Sequence, residues 1–465
     1  MPVIHWFRRD LRITDNTALS AASKDGREVI PVYIASDWKR THRWTGPARQ
    51  EFLCGCLASL AKNIEAIGGC LIIRRGQADQ ELERLAIETK ASAIYFNRDP
   101  DPFGREMEQR VEKMARRLGI EVHAFKDIAI HERDEVLTAT GGPYRVFTPY
   151  ANAWMKAGKP AVQPALRKLS TPSNIKSLPL PTLEDWGLKS TAHIPDTGEK
   201  AAGKRLADFL RGPVLVYGEN RDIPFGRNNS CLSADLRHGT LSIREIHGKC
   251  VHLGQGGGAA HRKSIFTFIK ELIWREFYMQ ILWHFPEVLE LEFNPKHRNL
   301  PWKTPGAGFQ RWSNGETGFP IVDAGMRQLN ATGYMHNRLR MIVAMFLTKD
   351  LHIDWRHGER YFMQKLIDGE IASNNGGWQW SAGTGADAAP YFRIQNPWSQ
   401  STRFDPVGEY IRQWVPELRD TDPAKFAKAP EDGFPIAKNY PAPMLDHARE
   451  RNITLEMFAR GVSTR

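Results

Sequence analysis

A doubly wound parallel α/β domain of Rossmann-like form, followed by a larger all-α domain, is the fold class the sequence predicts. Three observations carry it. Short, almost continuous apolar runs alternate with amphipathic ones through the first 125 residues; strand signals vanish after Gly203; and 465 residues exceed the size at which one hydrophobic core keeps growing. The runs predict strands at Val3–Phe7, Val29–Ala35, Leu71–Arg74, Ala93–Phe96 and Val122–Phe125. Between them, helices are expected near Asn16–Ala22, Arg49–Ile67, Ala78–Lys90 and Arg105–Leu118. In such sheets ligands sit beyond the carboxyl ends of strands, where HWFRRDLR (5–12) and FNRDPDPFGR (96–105) fall. No Gly-x-Gly-x-x-Gly follows the first strand, so a dinucleotide site of that kind is not indicated.

Residues 1–128 are accordingly read as the α/β domain. Residues 129–200 read as a Pro-, Ser- and Thr-rich connector with little periodicity, and 201–465 as the helical domain, with patterns at Ser264–His284, Asp323–Ala331 and His336–Lys349. Hydrophobic content of 41% and charged content of 25% are ordinary for a globular chain. No apolar run approaches a membrane span, and charge placed directly after the first apolar run is unlike a signal peptide. Five cysteines without a Cys-x-x-Cys pair argue against metal ligation and a disulfide framework, and for a reducing cytoplasm. Lys and Arg number 64 against 53 Asp and Glu, a net +11 that favours a polyanion partner, since neutralising phosphates releases counterions. Nothing in the sequence demands more than a monomer.

Chemistry concentrates between Asp368 and Pro397, DGEIASNNGGWQWSAGTGADAAPYFRIQNP. The Asn374–Asn375 pair and the glycines weaken a helix, and exposed Trp378 or Trp380 would invite aggregation. Together they suit a site that brings backbone against a flat ring system; the alternative is a glycine-bent loop capped by core tryptophans. In KELIWREFY (270–278), Glu271, Trp274, Arg275 and Tyr278 share one helical face, with Leu272, Ile273 and Phe277 turned to the core. That face suits a flat heterocycle, or else is solvated with Glu271 paired to Arg275. GYMHNRLRM (333–341) gathers His336, Asn337, Arg338 and Arg340, and Arg340 is placed to pair with Asp368. YGENRDIPFGRNNSCLSADLRHG (217–239) is dense in Ser, Asn and Gly ahead of a helix, a composition able to cradle a pyrophosphate, although it lacks the Gly-Lys-Ser/Thr of a P-loop. The run Gly254–Gly258 reads as a flexible loop between helices.

ELIWREFY, GFPIVDAGMRQL (318–329), HNRLRM, DWRHGERYF (354–362) and NNGGWQW…DAAPYFRIQNP, with HWFRRDLR…DN near the start, together resemble the photolyase/cryptochrome family. The similarity runs over nearly all the chain and is greatest to class I cyclobutane pyrimidine dimer photolyases. It implies an antenna α/β domain and a helical domain holding a U-shaped FAD. It further implies light-dependent DNA repair, in which excited, reduced FAD lends an electron to a pyrimidine dimer flipped out of UV-damaged DNA and the dimer splits. Carried over by motif, Tyr217, Asn229, Ser230, Leu232 and Ser233 would line the FAD phosphates. Asn337, Arg340, Asp368, Glu370 and Asn374 would hold the isoalloxazine and ribityl region, with Asn374 beside flavin N5. Glu271 would hydrogen-bond the dimer, Trp274 and Trp380 would stack on it, and Asn337 and Met341 would pack around it. Arg221, Arg338 and Arg393 would contact DNA. Trp302, Trp355 and Trp378 match the family's electron-relay tryptophans.

Departures from the family pattern sharpen these expectations. The phosphate loop, usually Gly-Thr-Ser-x-Leu-Ser-Pro, reads Asn228-Asn229-Ser230-Cys231-Leu232-Ser233-Ala234. Glu370 stands where Asp is usual. The folate-binding Asn-Glu pair of some class I members is Phe103-Gly104, which points away from folate and to a deazaflavin or flavin antenna, or to an empty pocket. Asn337 and Met341, where (6-4) photolyases place His, count against that lesion. Asn374 and a chain ending at Arg465 count against a cryptochrome-type light receptor. A basic, flavin-free nucleic-acid-binding protein is the remaining rival.

Overall fold

A computed structural model of the chain describes residues 1–37 and 42–463. The strands β1 (Val3–Phe7), β2 (Val29–Ala35), β3 (Ile72–Arg75), β4 (Ala93–Asn97) and β5 (Glu121–Phe125) form one parallel sheet in the order β3-β2-β1-β4-β5. Val3 lies opposite Val29, Ile4 opposite Ile94 and Val32 opposite Ile72. Every residue of β1, β2 and β4 is buried, because both faces of the sheet are covered. The covering helices are α1 (Thr17–Ala22), α2 (Pro47–Ala66), α3 (Ala78–Thr89) and α4 (Pro102–Leu118). Local chemistry sets their ends: Asn16 accepts from Leu19 N at the start of α1, Asp101 accepts from Gly104 N at the start of α4, and Gly119 closes α4 at φ +69°.

The stretch read as a connector with little periodicity is ordered over much of its length. It contains α5 (Phe147–Lys156), which buries Phe147, Tyr150 and Trp154. It then returns across the first domain, with Leu169 and Trp186 buried. Backbone bonds from Val29 N to Ser170 O (2.8 Å) and from Leu178 N to Ile73 O (3.0 Å) hold it there. Those bonds satisfy main-chain groups at the rim of the sheet, so its order leaves no side-chain periodicity.

The remainder is helical: α6 (Glu199–Arg211), α7 (Tyr217–Asn220), α8 (Ser233–His238), α9 (Ile243–Gln255), α10 (Ala259–His284), α11 (Ala307–Asn314), α12 (Pro320–Thr332), α13 (Asn337–Met345), α14 (Trp355–Lys365), α15 (Ile371–Ala382), α16 (Pro397–Phe404), α17 (Glu409–Trp414) and α18 (His447–Ser463). The 26-residue α10 runs through the core and packs on α5, α9 and α15. Beyond α13 the chain makes a buried π-helical turn at Phe346–Asp350.

Two buried ionic clusters lock the halves together. Arg12 Nη2 donates to Asp127 Oδ2 (2.8 Å), Arg244 Nη2 to Asp127 Oδ1 (2.7 Å) and Arg244 Nε to Asp15 Oδ2 (3.0 Å). Elsewhere, Arg9 after β1 and Arg275 on α10 bind the two oxygens of Glu370. Buried pairs gain little net stability over apolar packing, but breaking one leaves a bare charge and so penalises every other docking.

Candidate cofactor and substrate site

The start of α8, the first turn of α13 and the turn leading into α15 converge on one carboxylate. Asp368 Oδ2 accepts from Arg340 Nη2 (2.7 Å) and from Ser233 Oγ (2.5 Å). The expected Arg340–Asp368 pair is thus present. Burial works to lower the Arg340 guanidinium, and Asp368 outweighs it. Asp368 Oδ1 is buried with no hydrogen-bond partner among the described residues, an acceptor left over for a ring N–H or a hydroxyl.

The phosphate-loop candidates lie alongside. The Asn229 amide sits 2.7 Å from His336 Nε2, while His336 Nδ1 accepts from Arg338 N (3.1 Å) as the cap of α13. Burial pushes the His336 ring down to about 4, so it is neutral at pH 7. It is Asn229 Nδ2 that faces the ring, and the same nitrogen donates to Arg221 O (3.5 Å). Ser230 Oγ accepts from Leu232 N (3.4 Å), Leu232 is buried, and Cys231 holds the turn at φ +52°. Tyr217 is buried with its ring edge-on to Phe209 and Phe268.

On α15, Asn374 Nδ2 donates to Glu359 O (3.0 Å) and Asn375 Nδ2 to Glu359 Oε1 (3.3 Å). The first bond orients the Asn374 amide so that Oδ1 remains as an acceptor. Burial pushes the Glu359 carboxyl up to about 7, opposed by the Asn375 bond. Gly376 has no room for a side chain, since a Cβ would strike the Tyr278 ring of α10. The glycine there serves helix packing.

Beside the 229–233 loop, Arg221 Nη1 donates to Glu271 Oε1 (2.5 Å), and Arg338 pairs with Asp222 Oδ2 (2.8 Å) while its guanidinium lies over the Phe404 ring. Burial raises the Glu271 carboxyl, and Arg221 works against it. Met341 Sδ accepts from Arg338 Nη1 (3.7 Å). Trp380 is partly exposed, and Asn337 and Arg393 are exposed.

Two expectations are corrected, at Arg275 and at Glu370. Arg275 does not share an open face with Glu271: it is buried, donating to Glu370 Oε2 and to Ile128 O, each at 2.8 Å. Glu370 does not present a free carboxylate to a cofactor, because Arg9 and Arg275 occupy both oxygens. Burial works to raise that carboxyl, but Arg275 and Arg9 outweigh it and hold it below its ordinary value. Trp274 offers at most one face, since Phe147 stacks on it at 3.7 Å and 3°. Phe147, Asp222 and Arg9 were not among the sequence candidates. Phe147 sat in a segment without periodicity, and the others act through partners far along the chain.

Of the relay candidates, Trp378 and Trp355 are buried and Trp302 is partly exposed. Trp378 packs so closely on α14 that a Cβ at Gly358 would strike its ring. Trp302 Nε1 (3.4 Å) and Trp355 Nε1 (3.3 Å) both donate to Glu292 Oε1.

The donor set fits an FAD: an unpartnered acceptor at Asp368, an acceptor at Asn374 Oδ1 and amide and hydroxyl donors in the 229–233 loop. Family comparison agrees. Residues 3–169 match the family model described as DNA photolyase, and residues 268–460 the one described as the FAD binding domain of DNA photolyase. The deoxyribodipyrimidine photo-lyase of Agrobacterium fabrum is 40% identical over 478 residues, covering 98% of this chain and 98% of that protein. A crystal structure of a bacterial class III photolyase from Agrobacterium tumefaciens superposes with TM-score 0.91 at 38% identity, covering 100% of this chain and 98% of that one. An archaeal photolyase from Sulfolobus tokodaii, solved with two FAD molecules, gives TM-score 0.85 at 31% identity over 99% and 100% of the two chains. A chain alike along its whole length to such proteins, and carrying a donor and acceptor set of this chemistry, belongs to the DNA photolyase family.

Proposed function

We propose that the protein is a light-dependent lyase that splits cyclobutane pyrimidine dimers in UV-damaged DNA, with FAD as its cofactor. One observation carries this reading. Arg340 and Ser233 converge on Asp368, and the 229–233 loop is tied through Asn229 to Arg221, the partner of Glu271, in a chain 40% identical throughout to a deoxyribodipyrimidine photo-lyase. Bound and reduced, FAD supplies the light-excited electron donor.

The chain's own groups do the rest. Arg340, Asp368 and the 229–233 loop bind and orient the cofactor, and Asn374 Oδ1 accepts from the flavin edge. Glu370 supports the site as the tie between Arg9 and Arg275. Glu271 hydrogen-bonds the lesion, Trp274 backed by Phe147 forms an apolar wall that excludes water, and Trp380 and Met341 close the other sides. Arg221, Arg338 and Arg393 take DNA phosphates, the first two by exchanging their carboxylate partners for phosphodiester. Trp378, Trp355 and Trp302 form a buried-to-surface route for electrons. A second chromophore of flavin or deazaflavin type would lie beyond the ends of β1 and β4, on the side where Trp44 and Phe103 meet edge-on at 5.9 Å. The five free cysteines support a reducing cytoplasm.

The test is repair of an oligonucleotide carrying one thymine cyclobutane dimer, by reduced enzyme, in blue light against a dark control. Repair in the light alone is the expected result. No repair despite bound, photoreducible FAD would make the protein a cryptochrome-type receptor.

A further inference from the structure

Glu292 is 2% exposed and lies in a short loop before Pro295. Its Oε1 accepts from Trp302 Nε1 (3.4 Å), Trp355 Nε1 (3.3 Å) and Arg356 Nη1 (3.1 Å), and its Oε2 from Arg356 Nη2 (3.0 Å). The Arg356 guanidinium also lies over the Trp355 ring, 4.6 Å from the centroid. Among the described residues no cation lies over the Trp302 ring, and Trp378 Nε1 has no acceptor. The three indoles therefore sit in three different fields.

From this we propose that Glu292 and Arg356 bias the tryptophan relay, drawing positive charge off Trp355 and outward to Trp302. The inference rests on the relay reading given above. An indole that has lost an electron is a cation. A carboxylate at its N–H stabilises that cation, and a guanidinium over its ring opposes it; Glu292 is buried and Arg356 half-buried, so the carboxylate's effect is the less screened of the two. Trp378 has no such carboxylate, Trp355 has the carboxylate and the opposing cation, and Trp302 has the carboxylate alone. The step from Trp355 to Trp302 is thus favourable.

The loop is rigid where it needs to be. Gln379, next to Trp378, donates from Nε2 to Leu291 O (3.2 Å) and accepts from Phe293 N (2.9 Å), gripping both sides of Glu292. Arg298 Nε donates to Glu292 O (3.1 Å), and Asp354 Oδ1 holds Arg356 Nη1 (3.0 Å). In the step itself one electron passes from Trp302 to a Trp355 that has given one to Trp378. Trp355 regains its neutral form, Trp302 is left one electron short, and both Nε1 protons stay on their rings. The ultimate electron acceptor is photo-excited, oxidised FAD. Glu292 and Arg356 act through the indoles and are positioning residues.

The experiment is transient absorption of the indole cation radicals after a flash, on FAD-loaded Glu292→Gln, Arg356→Gln and Arg356→Lys proteins. Both Gln variants should speed charge recombination roughly five- to tenfold, the scale of one lost buried cation–ring or charge contact, and Lys should restore much of the loss at position 356. In 15N-labelled apoprotein, Glu292→Gln should move the indole N–H signals of Trp302 and Trp355. It should leave that of Trp312, which donates to Val343 O (3.0 Å), in place. Moved signals with unchanged recombination in both Gln variants would overturn the bias while leaving the relay intact. Undiminished photoreduction in Trp302→Phe would overturn both, and locate the error in the relay itself.

Discussion

Arg340 Nη2 donates to Asp368 Oδ2 at 2.7 Å, joining the first turn of α13 to the turn that leads into α15. Ser233 Oγ reaches the same oxygen, so three segments widely spaced along the chain converge on one carboxylate that is only 6% exposed. The second oxygen is left for a ligand.

Asp368→Asn should therefore uncouple cofactor retention from folding. Breaking a buried pair costs about 3–5 kcal/mol, and every 1.4 kcal/mol is about tenfold in an equilibrium constant. FAD per protein, read from flavin absorbance after gel filtration, should fall at least about tenfold while far-UV circular dichroism persists. Full flavin content would sink the assignment.

Trp378→Phe should block photoreduction of oxidised FAD and spare repair by chemically reduced enzyme. The check is the flavin spectrum during illumination. Unaltered photoreduction would remove Trp378 from the relay.

Glu271→Ala should lower light-driven repair by about tenfold or more while changing affinity for damaged DNA by less, because phosphate contacts dominate affinity and loss of Glu271 frees Arg221. Repair yield and filter-binding affinity measured side by side decide it. Equal losses in both would count against a role at the lesion.

Glu370→Gln should destabilise the protein by about 3 kcal/mol, since Arg9 and Arg275 lose the charge between them. The folded carboxyl titrates below its ordinary 4.5, so its contribution is present above that value and lost as pH falls through the lower, folded value. Denaturation midpoints of wild type and variant should converge as pH drops below about 4.5. A constant gap across that range would argue against the ion pair.

Lys349 makes a second pH signature. Burial lowers its ammonium to about 7 from 10.5, and its Nζ donates to Ala382 O (2.6 Å) at the end of α15. Between those values the unfolded chain binds more protons, so wild-type stability should rise with pH by at most about 1.4 kcal/mol per unit. In Lys349→Met that component should vanish. Parallel curves for the two proteins between pH 7 and 10 would contradict the shift.

Much of the fold was legible because its causes are local. Apolar runs place β2 at Val29–Ala35 as expected, and β3, β4 and β5 differ by one residue at one or both ends, as pairing geometry sets strand limits. The same locality made Arg340–Asp368 foreseeable, with both partners in motifs of evident chemistry. It failed between 129 and 200, where main-chain bonds to the sheet impose order without periodicity. It failed again at Arg275, where helical spacing assigned a face but not its neighbour.

By itself the sequence determined the class of each half, the family and the kinds of group available to the site, since those follow from residue type and near-neighbour spacing. Only the tertiary structure decided which groups meet. Arg9 and Glu370 are 361 residues apart, and Trp302 and Trp355 find the same oxygen of Glu292 through a loop with no motif of its own. Ion pairs and shared acceptors depend on distances of a few ångströms between segments brought together by packing, and no local pattern encodes those distances.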